Sequence, residues 1–304
     1  MSTFEIDILG CGSATPTTLR NPSAQAIHLN EKIFLVDCGE GAQLQMRKFS
    51  VKMSRLHSIF LSHLHGDHVL GLPGLISTLQ LLGRTGDIDL YAHKEFDPWL
   101  RQTLKFFCNF LPFEVKLIPI EGRNLQTLFE NKSIRISSFP LNHRIQTHGF
   151  LFEEKTGLRH IKKEMINFYQ IPIREIRGIK EGKDFVTPEG EIISNDILTT
   201  PPTPSRSYAY CSDTAFSPEI IPFIKGVDLL YHEATFSNED ASRAHETFHS
   251  TAKDAAKIAK KAEVKKLIIG HFSSRYTNTD VLLEEARSIF PNTYAAYDGM
   301  KIIL

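Results

Sequence analysis

The sequence predicts an α/β fold built on paired sheets. Strand-like and helix-like patterns alternate through two successive halves of the chain. Polar residues with metal-ligand chemistry stand directly after apolar runs, where strands would end. With 304 residues, 41% of them hydrophobic, the chain can bury a full core as one large or two small domains.

Residues 1–9 read as a strand, with 4–9 alternating apolar and polar, closed by the glycine turn Gly10-Cys11-Gly12-Ser13. Residues 26–29 and 33–36 read as a hairpin around Asn30-Glu31-Lys32. Asp37-Cys38-Gly39-Glu40-Gly41 then leads into a helix carrying Ala42, Leu44, Met46 and Phe49. Residues 58–61 form a short buried strand, 70–82 a helix despite Pro73, 88–92 a strand and 96–110 a helix. Strands follow at 115–118, 134–139 and 150–152. In the second half, 208–211, 229–231 and 267–269 are strands. Residues 251–262 have strong helical spacing with Ser250 near the N-cap, and 280–290 form another helix. Residues 293–296 and 301–303 close the chain as a hairpin.

Composition excludes some classes. Lys+Arg 35 balances Asp+Glu 35, so any basic surface must be local. Cys11, Cys38, Cys108 and Cys211 are widely spaced with no C-x-x-C, which predicts a reduced compartment and makes thiolate ligands poor candidates. The N-terminus has no basic stretch followed by an apolar core, and no apolar run reaches spanning length. A cytoplasmic location without membrane attachment is expected.

The segment Ser62-His63-Leu64-His65-Gly66-Asp67-His68 carries the most chemistry. Three imidazoles and a carboxylate sit in six consecutive positions after an apolar strand. Imidazole suits zinc, manganese and iron, and a hard carboxylate suits a second, water-carrying divalent ion. The pattern predicts two metals side by side, an arrangement that clamps the attacking and leaving oxygens of a displacement. Further ligands follow at strand exits: His143, Asp213 and His271. His63, His65 and His143 can hold one ion, Asp67, His68 and His271 the other, and Asp213 can bridge. His232-Glu233-Ala234-Thr235-Phe236 and His249-Ser250-Thr251 add a different pair. A Glu233 that orients His249 would fix its tautomer and let it protonate a leaving oxygen.

Residues 155–204 break the rhythm and read as an insertion. Within 159–183 there are seven Lys/Arg and three Glu, a net of +4. A basic excursion on a neutral chain fits a phosphate-rich partner or a solvated arm.

The H-x-H-x-D-H segment is the signature of the metallo-β-lactamase superfamily, which implies an αβ/βα sandwich with metals at the sheet edge. The two downstream motifs, with Ser212-Asp213-Thr214, Gly270-His271-Phe272-Ser273-Ser274-Arg275-Tyr276, the opening Gly10 to Pro16 and Asp298-Gly299-Met300, resemble ribonuclease Z. The resemblance runs from residue 4 to the end and is weakest in the insertion. It implies a zinc-dependent endoribonuclease that removes 3′ trailers from precursor tRNA, leaving a 3′-hydroxyl on the tRNA and a 5′-phosphate on the trailer. Two zinc ions per subunit (manganese being the alternative) and a homodimer are also implied. Asp67 would act as general base or orienter of the attacking water. The insertion matches the family's exosite arm, which grips the tRNA body, so Arg174, Arg177 and Lys180 become candidate RNA contacts. Ser273, Ser274 and Arg275 become candidate phosphate contacts, and so do Arg20 and Asn21 in the first turn. The family's P-x-K-x-R-N has Thr18 at its Lys position here, and the arm's Gly-Pro tip is replaced by Gly178-Ile179 and Gly182-Lys183. The rivals are a small-molecule hydrolase of the same superfamily, such as a lactonase, thioesterase or cyclic-nucleotide phosphodiesterase, and a non-catalytic RNA-binding protein.

Overall fold

The computed structural model describes residues 3–108, 110–122 and 124–304. Met1 and Ser2 of the expected first strand, and Asn109 of the expected 96–110 helix, lie outside the described residues. Two seven-stranded sheets pack face to face. The first runs, edge to edge, Lys301–Ile303, Phe4–Gly10, Ala24–Leu29, Lys32–Cys38, Leu56–Phe60, Ile88–Ala92 and Val115–Pro119. The second runs Thr293–Ala295, Leu267–Gly270, Leu229–Glu233, Ser207–Cys211, Thr147–Glu154, Ile134–Leu141 and Gln126–Glu130. Helices cover both outer faces, which makes the αβ/βα sandwich.

Alternation along the strands explains the layers. In Lys32–Cys38, Phe34 and Val36 enter the core between the sheets, while Ile33 and Leu35 enter the core under the helices. Burial on both faces is why this strand reads as a continuous apolar run. Phe34, Phe60 and Phe152 interlock in the inter-sheet core, with Phe60 and Phe152 edge to face at 5.9 Å. Pro73 sits in the first turn of the helix Leu72–Leu81, where no intrahelical N–H is required.

One expectation is corrected. The last two strands are not a hairpin: Thr293–Ala295 pairs with Leu267–Gly270 in one sheet, and Lys301–Ile303 pairs with Phe4–Gly10 in the other. The residues between them cross from sheet to sheet. The N-cap of the helix Ala252–Lys261 is Thr251, in a capping box with Asp254. Ser250, next to the N-cap as expected, donates its hydroxyl to the Thr214 carbonyl at 2.7 Å. The strand Gln126–Glu130 and the helix Ala241–Thr247 were not anticipated.

The insertion is a small folded unit. Strands His160–Ile161 and Thr199–Thr200 pair at its base, and helices Lys163–Phe168 and Ile173–Lys180 follow. The short hairpin Phe185–Val186 with Ile192–Ile193 completes it. Ile171, Ile179, Phe185, Ile193 and Leu198 form a core of its own. The buried Asn195 amide donates to the Ile179 and Lys183 carbonyls at 2.6 and 2.7 Å, tying the end of the second arm helix to the turn after it.

Candidate active site

The site lies where strands from both sheets end along one edge. Strand Leu56–Phe60 delivers His63, His65, Asp67 and His68, and Ile134–Leu141 delivers His143. Ser207–Cys211 delivers Asp213, Leu229–Glu233 ends on Glu233, and Leu267–Gly270 delivers His271. A crevice at the carboxyl ends of strands is where α/β sheets bind ligands.

Two half-sites result. In the first, His63 Nε2 lies 3.0 Å from His65 Nδ1, which lies 3.3 Å from His143 Nε2. Asp213 Oδ2 stands 3.5 Å from His63 Nε2. The opposite nitrogens of two of these rings are already committed. His63 Nδ1 faces Ser62 Oγ at 3.0 Å, and His143 Nδ1 donates to the Phe248 carbonyl at 2.8 Å. That leaves bare nitrogens converging, which repel one another unless a cation sits between them. Burial lowers the pKa of all three rings, His63 to about 4, so they are neutral and suited to ligation.

In the second half-site, Asp213 Oδ1 lies 3.2 Å from His271 Nε2 and 3.5 Å from His68 Nε2, with Asp67 Oδ2 3.5 Å from each ring. His68 Nδ1 donates to Asp37 Oδ2 at 2.8 Å and His271 Nδ1 to Thr235 Oγ1 at 3.0 Å. Both Nε2 atoms are then buried without a hydrogen-bond partner among the described residues. A buried, unpaired ring nitrogen aimed at two carboxylates fits a cation. Burial opposes charge on His68, yet Asp67, Asp213 and Asp37 hold its pKa well above the usual value, because three carboxylates surround one ring. Asp213 thus offers one oxygen to each cluster. The donor sets fit two divalent ions.

Glu233 is fully buried and accepts five hydrogen bonds. Oε1 receives Thr214 N–H and Ser250 N–H at 3.0 Å and His249 Nδ1–H at 2.9 Å; Oε2 receives Thr235 N–H at 2.9 Å and its hydroxyl at 2.8 Å. The His249 ring keeps 14% of its surface exposed. Burial lowers its pKa, but Glu233 outweighs burial and raises it to about 9. Asp213, His249 and His271 also form a group close enough to share an ion. The cluster Glu5, Asp7 and His28, on the first sheet, already holds a cation: Lys301 Nζ is 2.7 Å from Glu5.

The other candidates are placed differently. Arg20 donates to the Tyr276 carbonyl at 2.6 Å and to the Thr277 carbonyl at 3.2 Å. Asn21 binds Asp298 Oδ2 through its backbone and its amide at 2.7 and 2.9 Å. Arg275 pairs with Asp240 at 2.7 Å, and Ser273 takes the Thr235 carbonyl through its backbone N–H. These groups buttress the loops around the cleft, while Ser274 is exposed. In the arm, Arg174 and Arg177 pair with Glu175 and Glu181 on the same helix, and Lys180 has no ion-pair partner among the described residues.

Several residues went unread in the sequence. Asp37 is fully buried and accepts from Ser62 N–H, Ser62 Oγ–H, Tyr210 O–H and His68 at 2.7–2.9 Å. It follows an apolar run just as Asp213 and His271 do, so the same rule would have found it. Thr235 links Glu233, His249 and His271. Arg144 lines the cleft beside His143, and Ala14 N–H donates to Asp67 Oδ2 at 2.7 Å. Gly270 precedes His271 because a Cβ there would meet the Tyr231 hydroxyl at 2.2 Å.

The sandwich, the two clustered half-sites and the strand-end ligands define a metal-dependent hydrolase of the β-lactamase superfamily. A family model described as Beta-lactamase superfamily domain matches residues 197–272, and one described as Anti-Pycsar protein Apyc1 matches 4–177. The chain is 53% identical over 302 residues to a ribonuclease Z of Parabacteroides distasonis, covering 99% of each chain. It is 52% identical over 304 residues to a ribonuclease Z of Porphyromonas gingivalis, covering 100% of each. The chain belongs to the ribonuclease Z family. Among solved structures, the short form of human tRNase Z aligns with a TM-score of 0.70 at 24% identity over 98% of both chains. A metallo-β-lactamase fold protein, YhfI of Bacillus subtilis, aligns with the same score at 17% identity over 99% of this chain and 100% of that one. Both likenesses show the fold.

Proposed function

We propose that this chain, a metal-dependent endoribonuclease of tRNA 3′ processing, cleaves its precursor at the two half-sites described above. The observation that carries the reading is the pair of clusters sharing Asp213, with the Glu233-bound His249 at their rim. His63, His65, His143 and Asp213 would hold one divalent cation; Asp67, His68, His271 and Asp213 would hold the other. Zinc is the first candidate and manganese the second. When bound, such a pair supplies Lewis acidity and neutralises the charge that builds on the phosphate.

The chain's own groups do the rest. Burial favours the neutral acid at Asp67, but His68 and His271 hold its carboxyl far below the usual range, so it stays ionised and can orient the attacking water or accept its proton. His249 carries a proton near the cleft, and Glu233 fixes its Nδ1–H, leaving Nε2 to deliver that proton to the departing 3′-oxygen. The experiment is incubation with a precursor tRNA carrying a 3′ trailer, mapping both product ends. Cleavage just after the discriminator, with a 3′-hydroxyl on the tRNA, is expected. Hydrolysis of small diesters or thioesters with no action on the precursor would sink the reading. The arm and the Glu233–His249 pair speak against such a small-molecule enzyme.

The arm serves as the exosite in this reading. It contains eight basic and seven acidic residues over 155–204, a net of +1, and Arg159 is paired with Asp196 at 2.6 Å. The +4 of 159–183 is therefore largely balanced within the fold, and shape contributes alongside charge. The pairing of His160 with Thr200 brings the arm's ends together, so residues 162–198 can be replaced by a short turn. That variant should still hydrolyse bis-p-nitrophenyl phosphate and bind precursor tRNA much more weakly; unchanged tRNA affinity would place recognition elsewhere.

Two further parts of the reading concern the whole molecule. A homodimer is supported by an apolar surface at Leu81, Leu82, Phe106, Phe107 and Phe110, all well exposed, and a second copy would cover it. No described helix is long and apolar enough to cross a membrane, and the four cysteines are free and buried, which supports a cytoplasmic enzyme.

A further inference from the structure

Among the described residues, eight non-glycine positions have positive φ, and four of them surround the site: Ala14, Asp37, Phe248 and His271, at +54°, +55°, +58° and +59°. Such backbones are costly and persist where the surroundings over-determine them. Three explain themselves. Ala14 turns its N–H onto Asp67, Asp37 turns its carboxylate onto His68, and His271 is itself in the second cluster.

Phe248 is different. Its backbone is used, because the carbonyl accepts from His143 Nδ1 at 2.8 Å. Its side chain is not needed for that. It stands at the C-terminal cap of the helix Ala241–Thr247, the position where a left-handed residue is ordinarily glycine. A glycine would place the same carbonyl with less strain. Instead a phenyl ring occupies the position, 40% exposed and part of none of the three apolar cores. Its neighbours on both sides, Thr247 and His249, line the cleft.

A cation stands close by. Arg144 lines the same cleft and is tied to this loop by a hydrogen bond to the Glu246 carbonyl at 2.6 Å. Among the described residues it has no carboxylate partner, so its remaining donors are free. An exposed aromatic ring on a loop flanking the cleft, with a guanidinium tied to the same loop, is what single-stranded nucleic acid uses: the ring takes a base, the cation a phosphate.

We propose that Phe248 and Arg144 form a nucleotide subsite at the cleavage point: the phenyl ring stacks on an unpaired base adjoining the scissile phosphate, and Arg144 binds a neighbouring phosphate. This rests on the reading that the substrate is a tRNA precursor. A positive φ is retained at a phenylalanine because the ring is worth more in substrate positioning than glycine would be in stability.

The test uses the full chain with cations bound and three precursor tRNAs: intact, abasic at the discriminator, and abasic at the first trailer nucleotide. Phe248→Gly should melt at or above the parent's temperature and lose roughly 5- to 100-fold in kcat/KM on the intact precursor, the range that one stacked base supplies. One of the two abasic substrates should cost the parent a similar factor, and Phe248→Gly should show little further loss on that substrate. Phe248→Tyr should keep the parent's activity, whereas Phe248→Leu should not. Arg144→Ala should raise KM and reduce the salt slope by about one. Losses from Phe248→Gly and from both abasic sites that simply multiply would overturn the proposal. So would a lower melting temperature for Phe248→Gly, or activity equal to the parent's in Phe248→Leu. A parent chain that fails on the intact precursor would overturn the function itself, and is seen before any variant is made.

Discussion

The two sheets each bring a buried carboxylate to the site, and they use it for different ends. Asp37, on the first sheet, and Glu233, on the second, are both fully buried and both bind a histidine through its Nδ1. Asp37 holds His68, whose other nitrogen is buried without a partner among carboxylates. Glu233 holds His249, whose ring reaches the cleft. On the proposed reading, one device therefore fixes a ligand and, on the opposite sheet, a proton donor. The surroundings of the second nitrogen decide which: a dry pocket rich in negative charge requires a cation, and an open rim can receive substrate. The same contrast separates histidines in general, since either nitrogen can bind a metal once the other is committed.

The comparison can be broken most severely at the residue both clusters share. Asp213→Ala removes an oxygen from each cluster, and should abolish cleavage and lower bound metal from about two ions per chain. Metal analysis alongside turnover checks this, and full activity in a metal-free preparation would end the two-cluster reading.

Next in size is His249→Ala. Turnover should fall roughly 10²–10⁴-fold, the scale of general acid catalysis, with metal content retained. If metal is lost in parallel, His249 shares an ion with Asp213 and His271, and the contrast between the two carboxylates fails.

Asp37→Asn probes the other side. Partners of metal-binding histidines typically contribute about 10- to 100-fold in metal affinity. Titration with a competing chelator should show a loss of that order, with turnover largely recovered at high metal concentration. A variant with parent affinity but slow turnover would assign Asp37 to the chemistry instead.

The smallest effect is a shift in pH dependence. His249 must be protonated to donate, so the rate falls as pH rises through its pKa. Burial lowers that pKa and Glu233 raises it further than burial lowers it, to about 9 in the chain alone; bound cations push it down again. Glu233→Gln removes the negative charge, so the basic limb of the kcat–pH profile should move to lower pH. A limb that stays in place would show that another group sets it.

The parts of the fold legible in the sequence were those that local pattern controls. Alternation and apolar runs located most strands to within a residue or two, because a strand buried on one or both faces must show it in its composition. The seven ligand-type residues were legible for a related reason: ionisable groups directly after buried runs are expensive unless they are used. Asp37 obeyed the same rule and was passed over because it stood alone, away from the histidine cluster. The fate of the last two strands was not local. Both segments have strand composition, and only the opposing sheets decided that each pairs with a different neighbour. The arm's charge was likewise a tertiary matter, since Asp196 reaches Arg159 only once the insertion folds back on itself. By itself, then, the sequence determined which residues carry ligand-type chemistry and that they stand at strand ends. Tertiary structure decided which nitrogen of each ring is left bare, which oxygen of Asp213 faces which cluster, and that Arg20, Asn21 and Arg275 brace loops. Those outcomes depend on partners distant along the chain, brought within hydrogen-bond reach only when the two sheets close on each other.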